Sequence, residues 1–219
     1  MMNKMKKILA LPLIVLAISC NAKAEETPTQ QLLEPVAMNN EKGTETAIFA
    51  GGCFWCTEAV FLELDGVKSV ASGYIGGKNP NPTYKEVCSG ETGHAEAIQI
   101  VFDPSKITFG ELLEIFFATH DPTTLNRQGN DVGTQYRSEI FYFNDSQKEQ
   151  SEEYIALLNN QNTFGKNVVT KVSPASKFYV AEDYHQNYYN QNKSQSYCSY
   201  VITPKVEKVR TKFKEKLKQ

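Results

Sequence analysis

The chain is short of several things, and each shortage removes a class of function. Its 219 residues include one tryptophan, three histidines and five cysteines. Five cysteines are too few for a disulfide-stapled scaffold. One Cys-x-x-Cys stands alone, with no second such pair and no histidine pair at ligand spacing, so a four-ligand structural zinc site has no second half. Net charge is −2 at pH 7, which lacks the basic excess of a nucleic-acid or polybasic membrane surface. No internal repeat is visible. The apolar run of residues 8–18 falls short of the roughly 20 residues a membrane-spanning helix needs. What remains is ordinary: 41% hydrophobic and 22% charged residues, the composition of a globular protein of one domain with appendages.

The amino terminus reads as an appendage. "MMNKMKKILALPLIVLAISCNAKAEE" places Lys4, Lys6 and Lys7 before the apolar run, the pattern of a signal peptide over residues 1–24. It offers two exits. "LAISC" resembles a bacterial lipobox, with cleavage before Cys20 and lipidation of that residue. "AKA", ending at Ala24, fits the small-residue rule of ordinary cleavage. Either exit predicts an exported protein, in the periplasm or envelope, touching the membrane only through a lipid on Cys20. Residues 25–43, rich in Glu, Thr, Pro, Gln and Asn, read as a disordered tether. A folded catalytic domain is then expected over residues 44–219.

Within that domain, "TAIFAGG" reads as a short strand ending in a glycine pair, and "CFWCTEAVFLEL" carries Phe54, Val60, Phe61 and Leu64 at helical spacing. "GVKSVASGYIGG", "HAEAIQIVFDP", "TQYRSEIFYFND" and "NVVTKVSP" read as strands. "TFGELLEIFFATHDP", "SQKEQSEEYIALLNNQ" and "KVEKVRTKFKEKLK" read as helices, the first stopped at Asp121-Pro122. Strands and helices that mix without strict alternation predict an α+β fold.

The stretch that carries chemistry is "AGGCFWCTEAVF". Cys53 falls where a strand ends and a helix begins. A helix start offers unpaired N–H groups and a positive dipole end, which favours a thiolate. Gly51 and Gly52 allow a tight turn there. Cys56, three residues on, shares the face of the first helical turn, the geometry of a redox pair. Packing, a structural disulfide and half a zinc site are the bland readings of the same residues, and Phe54 and Trp55 serve equally as core aromatics.

"GGCFWC", "SGYIGG", "NPTYKEVCSGETGHAEAIQI", "FDP", "HDPTTLNRQGNDVGTQYRSEIFY" and "AEDYHQNYY" stand in this order. Together they closely resemble the peptide methionine sulfoxide reductase A family, from about Thr46 to Lys205. The resemblance implies a two-layer α/β sandwich with a ferredoxin-like core and a long irregular C-terminal coil. It implies Cys53 as nucleophile, with Phe54 and Trp55 as the pocket for the substrate's methyl group. Glu96 would bind and protonate the sulfoxide oxygen, Tyr84 and Tyr136 would hydrogen-bond it, and Asp131 would support the site. The substrates would be methionine S-sulfoxide in proteins and the free amino acid. No metal or organic cofactor is called for.

Those roles make chemical sense. The sulfoxide sulfur is attacked by a thiolate while its oxygen gathers charge, so donors and a proton are needed there. A glutamic acid in a partly apolar pocket stays protonated for that task. The product is a sulfenic acid on Cys53, which a second thiol must resolve as a disulfide before an external thioredoxin-like donor or dithiol resets the chain. Cys198 in "SQSYCSYVITPK" matches the family's resolving position, followed by a strand-like and then helical tail, and Cys56 is its rival or its relay partner. Cys88 reads as a buried structural thiol, and His94 and His185 as structural hydrogen-bonders. A monomer is expected. Two other readings compete: a thioredoxin-like thiol–disulfide oxidoreductase using Cys53 and Cys56, and a non-enzymatic envelope binding module. The second predicts that Glu96 and the tyrosines scatter rather than converge.

Overall fold

The computed structural model describes residues 43–219, so the signal-peptide, lipidation and tether expectations lie outside the described residues. The elements in chain order begin with strand β1 (Glu45–Gly51), helix α1 (Phe54–Phe61), strand β2 (Val67–Ile75), helix α2 (Tyr84–Cys88) and strand β3 (Ala95–Phe102). Helix α3 (Phe109–Thr119) and the two-residue strands β4 (Arg127–Gln128) and β5 (Asp131–Val132) follow. Then come β6 (Ser138–Tyr142), α4 (Asp145–Asn160), β7 (Lys171–Pro174), β8 (Tyr179–Val180), α5 (Tyr188–Gln191) and α6 (Thr203–Lys212).

Six strands form one sheet in the order β7-β6-β1-β3-β2-β8. The β1–β3, β1–β6, β2–β3 and β2–β8 pairings are antiparallel, and β6–β7 is parallel. Its four central strands make two split βαβ units, β1-α1-β2 and β3-α3-β6, which is the ferredoxin-like arrangement. The mixed α+β expectation holds.

Alternation along β1 sorts the core. Ala47 and Phe49 face one way, and Phe49 meets the rings of Phe61, Phe109 and Phe116 at 4.9–5.8 Å between centroids. Ile48 and Ala50 face the other way, into a smaller cluster with Ile75, Phe141 and Phe178. Thr108 starts α3 with a reciprocal capping box to Glu111, so the helix carrying Phe116 begins where the sequence signals it. Burying aromatics of this size contributes about 1.5–3 kcal/mol each.

Three elements depart from the sequence reading. "NVVTKVSP" joins the sheet only from Lys171, because Val169 donates its N–H to Pro122 O (2.8 Å) and Val168 to the Asn159 side chain. "TQYRSEIFYFND" opens with a 3-10 turn at Thr134–Tyr136 before β6. The expected strand-like piece after Cys198 is instead a π-helical turn, Cys198–Ile202, running into α6. Ile202 is fully buried there, so packing overrides the strand preference of its β-branched residues.

Candidate active site

The site begins with the backbone around Cys53. Strand β1 ends at Gly51, Gly52 takes φ +93, and Cys53 opens α1 as its N-cap without a side-chain cap bond. A Cβ on Gly52 would lie 2.5 Å from Gln128 Cγ. Gln128 cannot retreat easily, because its amide clamps Asp121: Oε1 accepts from the Asp121 N–H and Nε2 donates to its carbonyl, both at 3.1 Å. Gly52→Ala is therefore expected to lower stability by about 1–3 kcal/mol. It should also cut kcat/KM on the order of 100-fold by displacing Cys53. Denaturant unfolding and steady-state kinetics of the variant check both.

Around Cys53 the expected residues converge. Glu96, on β3, is 1% exposed, and its Oε2 accepts the Phe54 N–H at 3.1 Å, the first amide past Cys53. Phe54 is fully buried, with its ring near Tyr74 (5.9 Å), His185 (5.0 Å) and Tyr84 (6.3 Å, nearly parallel). Trp55 is half-buried and stacks on Tyr188 at 3.8 Å and 9°. Tyr84 and Tyr136 are half-buried, and the Glu96 charge acts on both hydroxyls. Asp131 reaches the group indirectly, accepting the Tyr197 O–H at 2.7 Å, while the same hydroxyl lies 3.9 Å from Cys56 Sγ. This convergence opposes the inert binding-module reading.

The electrostatics assign protons. Burial first, with help from Asp131 and Cys56, pushes the Glu96 carboxyl up to about 8 against the opposing Phe54 hydrogen bond. Burial also drives Tyr84 and Tyr136 well above the usual phenol range, so both are neutral donors. For the thiols the outcome differs from expectation. Burial raises Cys53 well above its ordinary value, reinforced by its hydrogen bond to Cys56 and by the Cys56 and Glu96 charges. A helix terminus is worth at most about 2 kcal/mol to an anion, whereas full burial moves a pKa by up to about 3–5 units. Burial wins, and Cys53 rests as a thiol. Its partner gains: the Cys53 hydrogen bond, with Lys205 assisting against burial, brings Cys56 down to about 7.

All four described cysteines are free. Cys198 is fully buried in the π-helical turn, and its thiol registers the charge of Cys56. The charge of Cys56 thus bears on both Cys53 and Cys198.

Comparison with known proteins decides the family. The family described as "Peptide methionine sulfoxide reductase" matches residues 45–217. The chain belongs to the peptide methionine sulfoxide reductase family. A relative from Deinococcus radiodurans named "Peptide methionine sulfoxide reductase MsrA" is 57% identical over 185 residues, covering 82% of this chain and 90% of the relative. One of the same name from Sulfolobus acidocaldarius is 59% identical over 172 residues, 78% and 97% of the two chains. Among solved structures, reduced Mxr1 from Saccharomyces cerevisiae superposes with a TM-score of 0.67 at 32% identity, over 75% of this chain and 96% of that one. Methionine sulfoxide reductase A of Corynebacterium diphtheriae gives 0.62 at 39% identity, over 69% and 76%. The chain is accordingly a peptide-methionine (S)-S-oxide reductase, an oxidoreductase that repairs oxidised methionine.

One reading of the reductase is corrected. Cys88, expected to be buried, is exposed, because the five-residue α2 buries only Val87. His94 is the structural hydrogen-bonder expected: Nδ1 accepts from the Gly77 N–H and Nε2 pairs with Asn79 O at 2.8 Å.

Sequence reasoning missed how the coil is sewn to the site. Glu58, buried on α1, accepts the N–H groups of Asn187 (2.8 Å) and Tyr188 (3.3 Å). Gln186 bonds both backbone groups of Ser72 on β2. Glu182 accepts the Tyr74 hydroxyl and the Tyr84 N–H, both at 2.8 Å. These bonds press Tyr188 onto Trp55. The motif "AEDYHQNYY" was visible, but nothing in it named partners more than 90 residues away.

Proposed function

We propose that Cys53 attacks the sulfoxide sulfur while Glu96, as the neutral acid, protonates the departing oxygen. The single observation that carries this is the buried Glu96 carboxyl held against the Phe54 N–H beside Cys53. Tyr84 and Tyr136 donate to the same oxygen, and Phe54 and Trp55 wall the methyl group. The step balances as Cys53 thiol plus sulfoxide giving methionine plus Cys53 sulfenic acid. The thiol proton is lost from sulfur and one proton is gained by oxygen, with Glu96 as carrier.

Cys56 then condenses with the sulfenic acid, releasing water and forming the Cys53–Cys56 disulfide. The placement of Cys56 in the first turn of α1, with its N–H donating to Cys53 O at 3.1 Å, supports this order. Cys198 attacks next, moving the disulfide to Cys56–Cys198 and returning Cys53 to the thiol. A thioredoxin-like dithiol donor reduces that second disulfide. No resident cofactor takes part. The leader of residues 1–24 supports an envelope location, lipid-anchored through Cys20 or released after Ala24. There the clients are oxidised envelope proteins and free methionine sulfoxide, and the donor is a periplasmic or membrane-tethered thioredoxin-like protein.

The test is turnover of each sulfoxide epimer by the mature chain with a dithiol, and again with a thioredoxin-like donor. The S epimer alone should react. Cys198→Ser should keep turnover with a small dithiol and lose most of it with the protein donor. Cys56→Ser should still release one methionine per chain but stall before the first disulfide. Equal turnover by Cys198→Ser with both reductants would remove Cys198 from the relay.

A further inference from the structure

The coil delivers one residue to the pocket whose geometry goes beyond packing. His185 is 1% exposed. Its Nδ1 accepts the Trp55 indole N–H at 3.1 Å. An indole nitrogen only donates, so Nδ1 must be the bare nitrogen and Nε2 must carry the proton of the neutral ring. That Nε2–H is buried without a hydrogen-bond partner. The nearest carboxylate, Glu182 Oε2, is 3.9 Å away, beyond hydrogen-bond range. A purely structural histidine would satisfy both nitrogens, as His94 and His120 do in this same molecule. His185 leaves one donor unmet and gives the other nitrogen to Trp55.

Its ring is also wedged among the pocket aromatics, 4.3 Å from Tyr84, 5.0 Å from Phe54 and 5.5 Å from Trp55 between centroids. Tyr188 fixes the face of the indole by stacking. Stacking leaves the ring free to slide and turn in its own plane, and a directional bond at Nε1 removes that freedom.

We propose that His185 is a positioning residue for sulfoxide reduction, locking the in-plane orientation of Trp55 by accepting its indole N–H and so setting the shape of the methyl pocket. The proposal rests on the reading of Trp55 as the pocket wall. It assigns His185 no contact with the reacting atoms.

Two substitutions separate the bond from the bulk. An asparagine side chain can place its amide oxygen where Nδ1 stands, whereas glutamine places its amide near Nε2. His185→Gln should raise KM for the S-sulfoxide on the order of tenfold, since the half-buried indole loses the acceptor of its N–H, with a smaller change in kcat. His185→Asn should restore KM to within about twofold. Trp55 is the only tryptophan, so its emission reports the bond directly: the spectrum should shift in His185→Gln and stay close to wild type in His185→Asn. In a Trp55→Phe background, which lacks the N–H, His185→Gln should change KM no further. Equal KM and emission for the two His185 variants, or the same His185→Gln effect in the Trp55→Phe background, would overturn the anchor. An unchanged KM and kcat in Trp55→Ala would instead overturn the pocket reading, and the role of His185 with it.

Discussion

Cys53→Ser reduces turnover of methionine S-sulfoxide to the uncatalysed rate, a loss on the order of 10⁴-fold or more. A hydroxyl is a far weaker nucleophile than sulfur and has no counterpart of the sulfenic acid through which the oxygen leaves. The substitution is nearly isosteric, and Cys53 has no covalent partner in the reduced chain. Its melting temperature should therefore stay within a few degrees of wild type while activity disappears. Circular dichroism melts and an epimer-resolved assay read the two quantities separately. Retained activity in a folded variant would place the nucleophile elsewhere, and Cys56 would be the next sulfur to change.

Glu96→Gln carries the second large effect, a fall in kcat of about 10²–10⁴-fold, the range for a lost general acid. The amide oxygen of glutamine can still accept the Phe54 N–H that Glu96 accepts now, so the backbone at Cys53 keeps its place. The pH dependence follows from the sign of the shift. Burial raises Glu96 to about 8, so the acid is protonated and competent below that value and is lost as pH rises through it. The first half-reaction of the wild type, read as methionine released in a single turnover, should decline above about pH 8. Glu96→Gln should be slow throughout and should lack that decline.

The position of Cys53 was legible because β1 and α1 announce themselves by apolar pattern and a glycine pair marks their junction. Glu96 was legible only through the family resemblance. It shares a face of β3 with Ile98, Ile100 and Phe102, all fully buried, but a carboxylate in an alternating strand is by itself no sign of burial. The thiol pKa order was not legible, since it depends on burial that spacing cannot report. Nor was the run "YVITPK", where contacts of Val201 and Ile202 with the core convert strand-forming residues into helix. The coil was the least legible part, because its order comes from single bonds such as Glu58 to Asn187 rather than from any periodicity.

The most direct test of the central claim is a single-turnover mass measurement on the Cys56→Ser/Cys198→Ser double variant. Mixed with methionine S-sulfoxide and no reductant, it should release one methionine per chain and gain one oxygen, localised by peptide mapping and a sulfenic-acid trap to Cys53. Oxygen found on another residue, or no methionine released by a folded variant, would contradict the account.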